Sequence, residues 1–591
     1  MAKGSPRPGR LHRRFTAGSR AWLRGTALYS LTTLSGRAPT GLSAVPPDPW
    51  PGDAGRGVEL LNNVFRFAGQ TLSGEQPPWL DDAAGPAWLG EMHGFDWLRD
   101  LRAVGGDAAR RQARLLVDLW IERHGRWSPV AWAPDVTAAR LCAWIGQHDF
   151  FLASADDALR ARIFDSMARQ MRHLQKAVPG RLKGHALLLG LKGMIYGGLC
   201  LPGFDGAEVT ASRLLVRELP RQILPDGGHV ERSPAVQLQV LRHLVDLRSC
   251  YRAARAAAPE AVQHAIDRMA PTLRFFRHGD GGLALFNGTG GTGGSSGGGG
   301  TGSANGGEAG VLIDTVLGQA DAKGRPLKSL PHIGFERLTG GRACILMDTG
   351  APPPPGLDEV AHAGTLSFEM SVGRERLIVN CGGHPSQVGP WRTGLAATAA
   401  HSTLVLADTN SAAVKEDGGL GRRPAKVEVV RQDGETGTLV EAAHDGWRES
   451  HGLVHRRRLF LFETGEDLRG EDTLEGPGPA NGGATPFTIC FHLHPAVQVG
   501  LLNAGDAALL RGASGQGWRF RVRGGVLELA ESVYLGSGVD PRKSVQLVIR
   551  GTALPGVTTV KWALRREKPA AQGPGTTDGD GGSARATGLT T

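Results

Sequence analysis

The spacing of apolar residues in this chain changes period once, and that change constrains the fold more than any other feature. Between about residues 107 and 277, apolar residues recur at three- and four-residue steps, as in Ala113, Leu116, Val117, Trp120 and Ile121. Such spacing gathers them on one face of a helix. It predicts helices over about 107–124, 135–152, 156–177, 184–201, 207–223 and 234–257, with another near 259–277. Short connections make successive helices antiparallel neighbours, which close as a bundle or wrap into a toroid; periodicity does not choose between them. After Phe335 the period falls to two, with strand-like runs at 344–347, 366–370, 376–380, 402–406, 426–430, 459–462, 487–493 and 544–549 separated by Gly and Asp turns. No helical pattern alternates with these runs, so the sheet is antiparallel and layered as a sandwich.

A chain of 591 residues needs two or more cores. The division expected is a basic, proline-rich arm over 1–53, a helical domain over 54–287, a glycine-rich flexible loop over 288–310, a β-domain over 311–568 and a disordered tail over 569–591. Lys and Arg number 67 against 57 Asp and Glu. A net charge of +10 suits an anionic polymer, a uronate-bearing polysaccharide or a nucleic acid, or else reflects an arginine-rich genome. No aromatic-basic motif accompanies the charge, so nucleic acid is not expected. Six scattered cysteines lack the spacing of a disulfide framework or a zinc ribbon and read as small buried hydrophobes. No apolar run reaches the ~20 residues of a membrane helix. The basic N-terminus is followed by a run at 27–34 too polar for a good signal-peptide core.

The stretch with the most local information is 225–234. Asp226, Gly227 and Gly228 signal a turn, while Ser233 and Pro234 give an N-cap followed by proline at the first helical position. His229, Glu231 and Arg232 therefore sit on a loop above a helix N-terminus, a place to hold an acidic ligand. An ion pair of Glu231 with Arg232 that merely locks the loop is the structural alternative.

This run, Asp-Gly-Gly-His-Val-Glu-Arg-Ser-Pro, resembles the signature of the heparinase II/III-like polysaccharide lyases, in which a methionine, a tyrosine and a histidine follow; here those places hold Ala235, Val236 and Gln237. Lys183-Gly184-His185-Ala186-Leu187 resembles the family's Asn-His-Leu segment, with Gly184 in the place of asparagine. The segment 361–368 resembles Ala-His-Ala-Asp-x-Leu-Ser-Phe, matching His362 and putting Gly364 at the acid. Trp391-Arg392 and the segment 398–403, with His401, resemble two further motifs, and Asn380 stands where many relatives carry Asp.

The resemblance implies an incomplete (α/α) toroid followed by an antiparallel β-sandwich, with a cleft between them. It also implies β-elimination on a uronic-acid polymer, which needs a group on the carboxylate, a base for C5 and an acid for the leaving oxygen. The implied catalytic residues are His185 with His362 or His401. His229, Glu231, Arg232, Lys183, Trp391 and Arg392 are implied to bind the anionic polysaccharide. In metal-bearing relatives two such histidines and the Asp hold zinc. The neutral Asn380 makes His362, Asn380 and His401 a poor set for zinc or calcium. The chain's tyrosines are Tyr29, Tyr196, Tyr251 and Tyr534, none at the family's position. Gly184, Val236, Gly364 and Asn380 count for a second reading, a non-catalytic relative that binds an anionic glycan, while the retained His229, Glu231, Arg232, His362, Trp391, Arg392 and His401 count for a working cleft and put lyase chemistry first. The resemblance places the protein in the cell envelope or periplasm, with the cytoplasm as the alternative. His492-Leu493-His494 reads as structural rather than as a metal clip.

Overall fold

The computed structural model describes residues 29–567 except 30, 31, 75, 76, 78, 80–83, 291–306, 322, 386–388, 480, 481, 503, 504, 537 and 539. The start of the expected arm, most of the expected glycine-rich loop and the expected tail lie outside the described residues. Residues 307–310, assigned to that loop from sequence, instead open a helix, Gly307–Gln319.

The architecture is an incomplete (α/α) toroid followed by an antiparallel β-sandwich. The toroid's principal helices are Gly106–His124, Pro134–Gly146, Asp157–Ala177, Gly184–Cys200, Asp205–Gln222, Pro234–Ala253 and Glu260–Phe275. Local chemistry sets their starts. Asp156 accepts from the Leu159 amide at 2.8 Å, and Pro134 and Pro234 stand at first helical positions where a missing N–H costs nothing. The expected helix over 135–152 is broken in two, with His148–Phe151 following Pro134–Gly146. Asp157–Ala177 buries one stripe, Ile163, Met167, Met171 and Leu174 among it, whereas Gly184–Cys200 and Pro234–Ala253 are buried nearly all round. Glycine permits that crowding: a Cβ on Gly193 would lie 2.6 Å from the Ala138 Cβ. The run 35–53 has no helix or strand and is tied down where the Trp50 indole donates to Asp246 at 2.7 Å and Arg172 donates to the Leu34 carbonyl at 3.0 Å.

Two antiparallel sheets, of nine and eight strands, face each other over a core that includes Met347, Phe368, Phe491, Phe520 and Trp562. In the strand Leu453–Phe462 every second residue points inward, and two of those are His455 and Arg457. They survive burial because Asp472 takes the Arg457 Nε at 2.7 Å, the His455 Nε2 at 2.8 Å and the Trp562 indole at 2.9 Å. The two halves are joined by polar contacts: Arg232 to Asp348, Arg376 to Asp280 at 2.7 Å, and His278 to Glu369 at 3.0 Å and to Ser371 at 2.8 Å. All six cysteines are free and buried. Among the described residues, no helix is long and apolar enough to cross a membrane.

Candidate active-site cleft

His185 sits in the first turn of the helix Gly184–Cys200, with its side chain about a quarter exposed. Glu231, from the loop before Pro234, holds it twice: the carboxylate accepts from the His185 amide at 2.8 Å and pairs with Nδ1 at 2.9 Å. Burial pulls the His185 pKa down, but the charge and hydrogen bond of Glu231, with Glu359 and Asp135 farther off, outweigh it and leave the pKa raised. The converse holds for Glu231, where burial is outweighed by His185 and the pKa is lowered. Glu231 thus pairs with His185, not with Arg232 as one sequence reading had it. Gly184, with φ of +52°, is pressed against this carboxylate, since a Cβ there would collide with Glu231 Oε1.

The sandwich contributes His362 and His401, which meet edge to face. His362 Nδ1 and His401 Nε2 are 3.0 Å apart. The Gly288 amide donates to His362 Nε2 at 3.1 Å, and His401 Nδ1 lies 2.8 Å from the Ala397 carbonyl. One tautomer set satisfies every ring nitrogen: His401 donates from Nδ1 to Ala397, and His362 donates from Nδ1 to His401 Nε2. Both rings are buried. Burial holds His362 well below the usual imidazole range and His401 at about 4. Gly364 is packed under His401, where a Cβ would lie 2.7 Å from its Cδ2.

This commitment bears on the metal. Asn380 Oδ1 accepts from the Ser402 amide at 2.9 Å, and neither histidine keeps a free lone pair to share with it. The residues present do not fit zinc or calcium, and among the described residues no group of three or more His, Cys, Asp and Glu is placed to hold a metal.

Several other expected site residues are engaged elsewhere in the fold. His229 is buried, with Nε2 on Gln222 at 3.1 Å and the Glu231 amide donating to Nδ1, and burial lowers its pKa to about 4. Arg232 is held in the junction between the two halves. Its guanidinium is buried against Asp348, the Ile333 and Gly334 carbonyls and the Phe335 ring, binding toroid to sandwich. Lys183 is exposed and lies over Gly356 of the sandwich loop. Trp391 lines a separate groove of about 880 Å³ with Leu395, Pro495 and Val533, none of them a cleft imidazole. Arg392 is buried, donating to the Glu359 and Ala361 carbonyls. His492 is structural, set between Ser532 and the Ala399 carbonyl. Sequence reasoning missed Asn287, whose amide donates to the Arg232 carbonyl at 2.9 Å while its Oδ1 accepts from the His362 amide at 3.0 Å. That side chain brings the two motif groups within one residue of each other. Nothing in its local sequence singles it out. Of the His185, His229, His362 and His401 ring nitrogens, only His185 Nε2 has no hydrogen-bond partner among the described residues.

Comparison with known proteins places this geometry. The heparinase II/III N-terminus family model matches residues 120–273, and the heparinase II/III-like C-terminal model matches residues 322–563. FtsZ-localized protein C of Caulobacter vibrioides (strain NA1000 / CB15N) is 34% identical over 557 residues, spanning 89% of this chain and 91% of that protein. The crystal structure of heparinase III superposes with a TM-score of 0.71 at 13% identity, covering 94% of this chain and 91% of that one. Heparan sulfate lyase HepC from Pedobacter heparinus gives 0.57 at 14% identity, covering 95% and 91%. Such distant structural likenesses speak for the fold alone.

Proposed function

This chain belongs to the heparinase II/III-like family, and from that premise we propose that it is a non-catalytic member that binds an anionic glycan in the cleft between toroid and sandwich. The observation that carries the reading is the filling of the positions where lyases keep their machinery. The Glu231 carboxylate presses on Gly184, where the family's asparagine would stand, and the His401 ring presses on Gly364, where its acid would stand. Val236, in the place of the tyrosine, is packed in the helical core. Elimination needs a base and an acid with free positions, and of the His185, His229, His362 and His401 rings only His185 keeps a nitrogen without a partner among the described residues. What remains suits binding: an imidazole whose charged form is favoured by Glu231, beside exposed Lys183. We propose the division into arm, toroid, glycine-rich loop, sandwich and tail at the residues expected from sequence, except that 307–310 belong to the helix Gly307–Gln319.

The test is a titration with heparan, chondroitin and polyuronate oligosaccharides, followed in parallel by the absorbance of unsaturated uronates. Binding without product, weakened at least tenfold in His185→Gln, supports the reading. Turnover of any of these polymers refutes it. A second reading concerns place rather than ligand: the 34% identity to FtsZ-localized protein C over nearly its whole length favours localisation with FtsZ over a site elsewhere in the cell envelope. A fluorescent fusion that stays diffuse while FtsZ forms rings would refute it.

A further inference from the structure

Arg392 is a buried charge with no ion-pair contact: Glu359 and Asp358 act on it only through space. Its side chain is 4% exposed, yet no carboxylate lies within ion-pair distance among the described residues, and its contacts are the carbonyls of Glu359 at 2.6 Å and Ala361 at 3.4 Å, both reached by Nη2. Nε and Nη1 are buried and have no partner. A buried guanidinium with two idle donors is costly unless something accepts from them. Arg232, Arg376 and Arg457 are answered by Asp348, Asp280 and Asp472, and Arg140, buried without a carboxylate, spends its donors on Gln170, Thr137 and the His93 and Ala131 carbonyls. Arg392 adjoins a small, partly open cavity of about 10 Å³, lined also by Gly288, Val360, His362, His384 and Leu395. That is room for one water-sized sphere. The lining supplies no acid, and the one ring whose hydrogen-bonding is fully fixed, His362, accepts at Nε2 from Gly288 and so leaves the cavity's charge to Arg392.

We propose that this cavity is an anion site in which Arg392 Nε and Nη1 hold a single anionic atom, either chloride or one carboxylate oxygen of a uronate. In the second case it is the carboxylate subsite of the cleft and rests on the glycan-binding reading; in the first it stands without it. The site lies beside His362, so the anion also replaces the carboxylate that Gly364 and Asn380 no longer supply to this corner.

The test compares thermal unfolding of the full chain in sodium chloride with sodium isethionate at equal ionic strength, then with added glucuronate, for the unchanged protein, Arg392→Gln and Arg392→Lys. Line broadening of ³⁵Cl in nuclear resonance gives a second readout on the unchanged protein. The expected result is a saturable rise in Tm with chloride or glucuronate that Arg392→Gln abolishes and Arg392→Lys partly keeps. Chloride alone identifies an inorganic ion; glucuronate displacing the broadened chloride identifies the carboxylate subsite. No specific shift and no broadening with either anion, or an equal shift in Arg392→Gln, means the donors face only water and overturns the proposal.

Discussion

At the residue scale the decisive pair is His185 and Glu231. Their pKa values move apart, His185 up and Glu231 down, because each stabilises the other's charge against burial. The sign for His185 is that of a raised base. Its pairing contributes stability that is fully present below the unfolded imidazole value near ~6.5 and is lost as pH rises through the higher folded value. Glu231, being lowered, contributes stability present above its unfolded value and lost as pH falls through its folded one. The pair is therefore strongest at mildly acidic to neutral pH. Titration of the His185 ring by nuclear resonance gives a midpoint above ~6.5, and Glu231→Gln lowers it, since burial is then opposed only by the charges of Glu359 and Asp135; a midpoint unmoved by that substitution contradicts the pairing. The motif residues were legible in sequence one by one, but their partners were not. Residues adjacent in the chain invite pairing, so Glu231 was weighed against Arg232. The backbone instead turns at Arg232, with φ of +57°, and sends the two side chains to opposite halves of the molecule.

At the element scale, what the sequence hides is a strand whose inward positions are ionised. Helices were readable because their buried stripes are apolar. The strand Leu453–Phe462 was read only over its last four residues, because its inward positions 455 and 457 are histidine and arginine. Its neighbour Asp467–Gly476 was not read at all, since its inward Asp472 answers them and its outward face is charged too. A period of two in burial is there; a period of two in hydrophobicity is not. The consequence is a core whose stability hangs on one carboxylate, held far below the usual range by Arg457 and His455 against the opposing effect of burial. Asp472→Asn leaves a buried guanidinium with no counter-charge and is expected to cost about 3–5 kcal/mol. Urea unfolding measures it, and a loss under 1 kcal/mol would mean that solvent reaches this cluster.

At the scale of the whole molecule, the same logic governs how the halves are held. The toroid's apolar core continues into the sandwich through Ile333, Phe335, Cys344 and Leu346, with Phe276 and Phe286 packed on the Phe335 ring, while the sandwich buries a second core of its own. Ionic and hydrogen-bonded struts add direction to that apolar seam, among them the buried Arg232 with Asp348, which Asn287 links to His362. Burial acting on Asp348 outweighs Arg232 and leaves its pKa raised, so removing the arginine strands a carboxylate that readily takes up a proton. Arg232→Met is therefore expected to destabilise the chain by about 3–5 kcal/mol at neutral pH and above, and by progressively less as pH falls and the stranded Asp348 takes up a proton. The double change Arg232→Met with Asp348→Leu is expected to recover most of the loss, because two apolar side chains need no counter-charge. Hydrogen exchange locates the effect: faster exchange in the single variant belongs at the junction around Ile333 and Gly334, with the helices and sheets themselves protected. Uniformly faster exchange would instead make the strut part of one cooperative fold, and the cleft a fixed feature rather than a joint between two bodies.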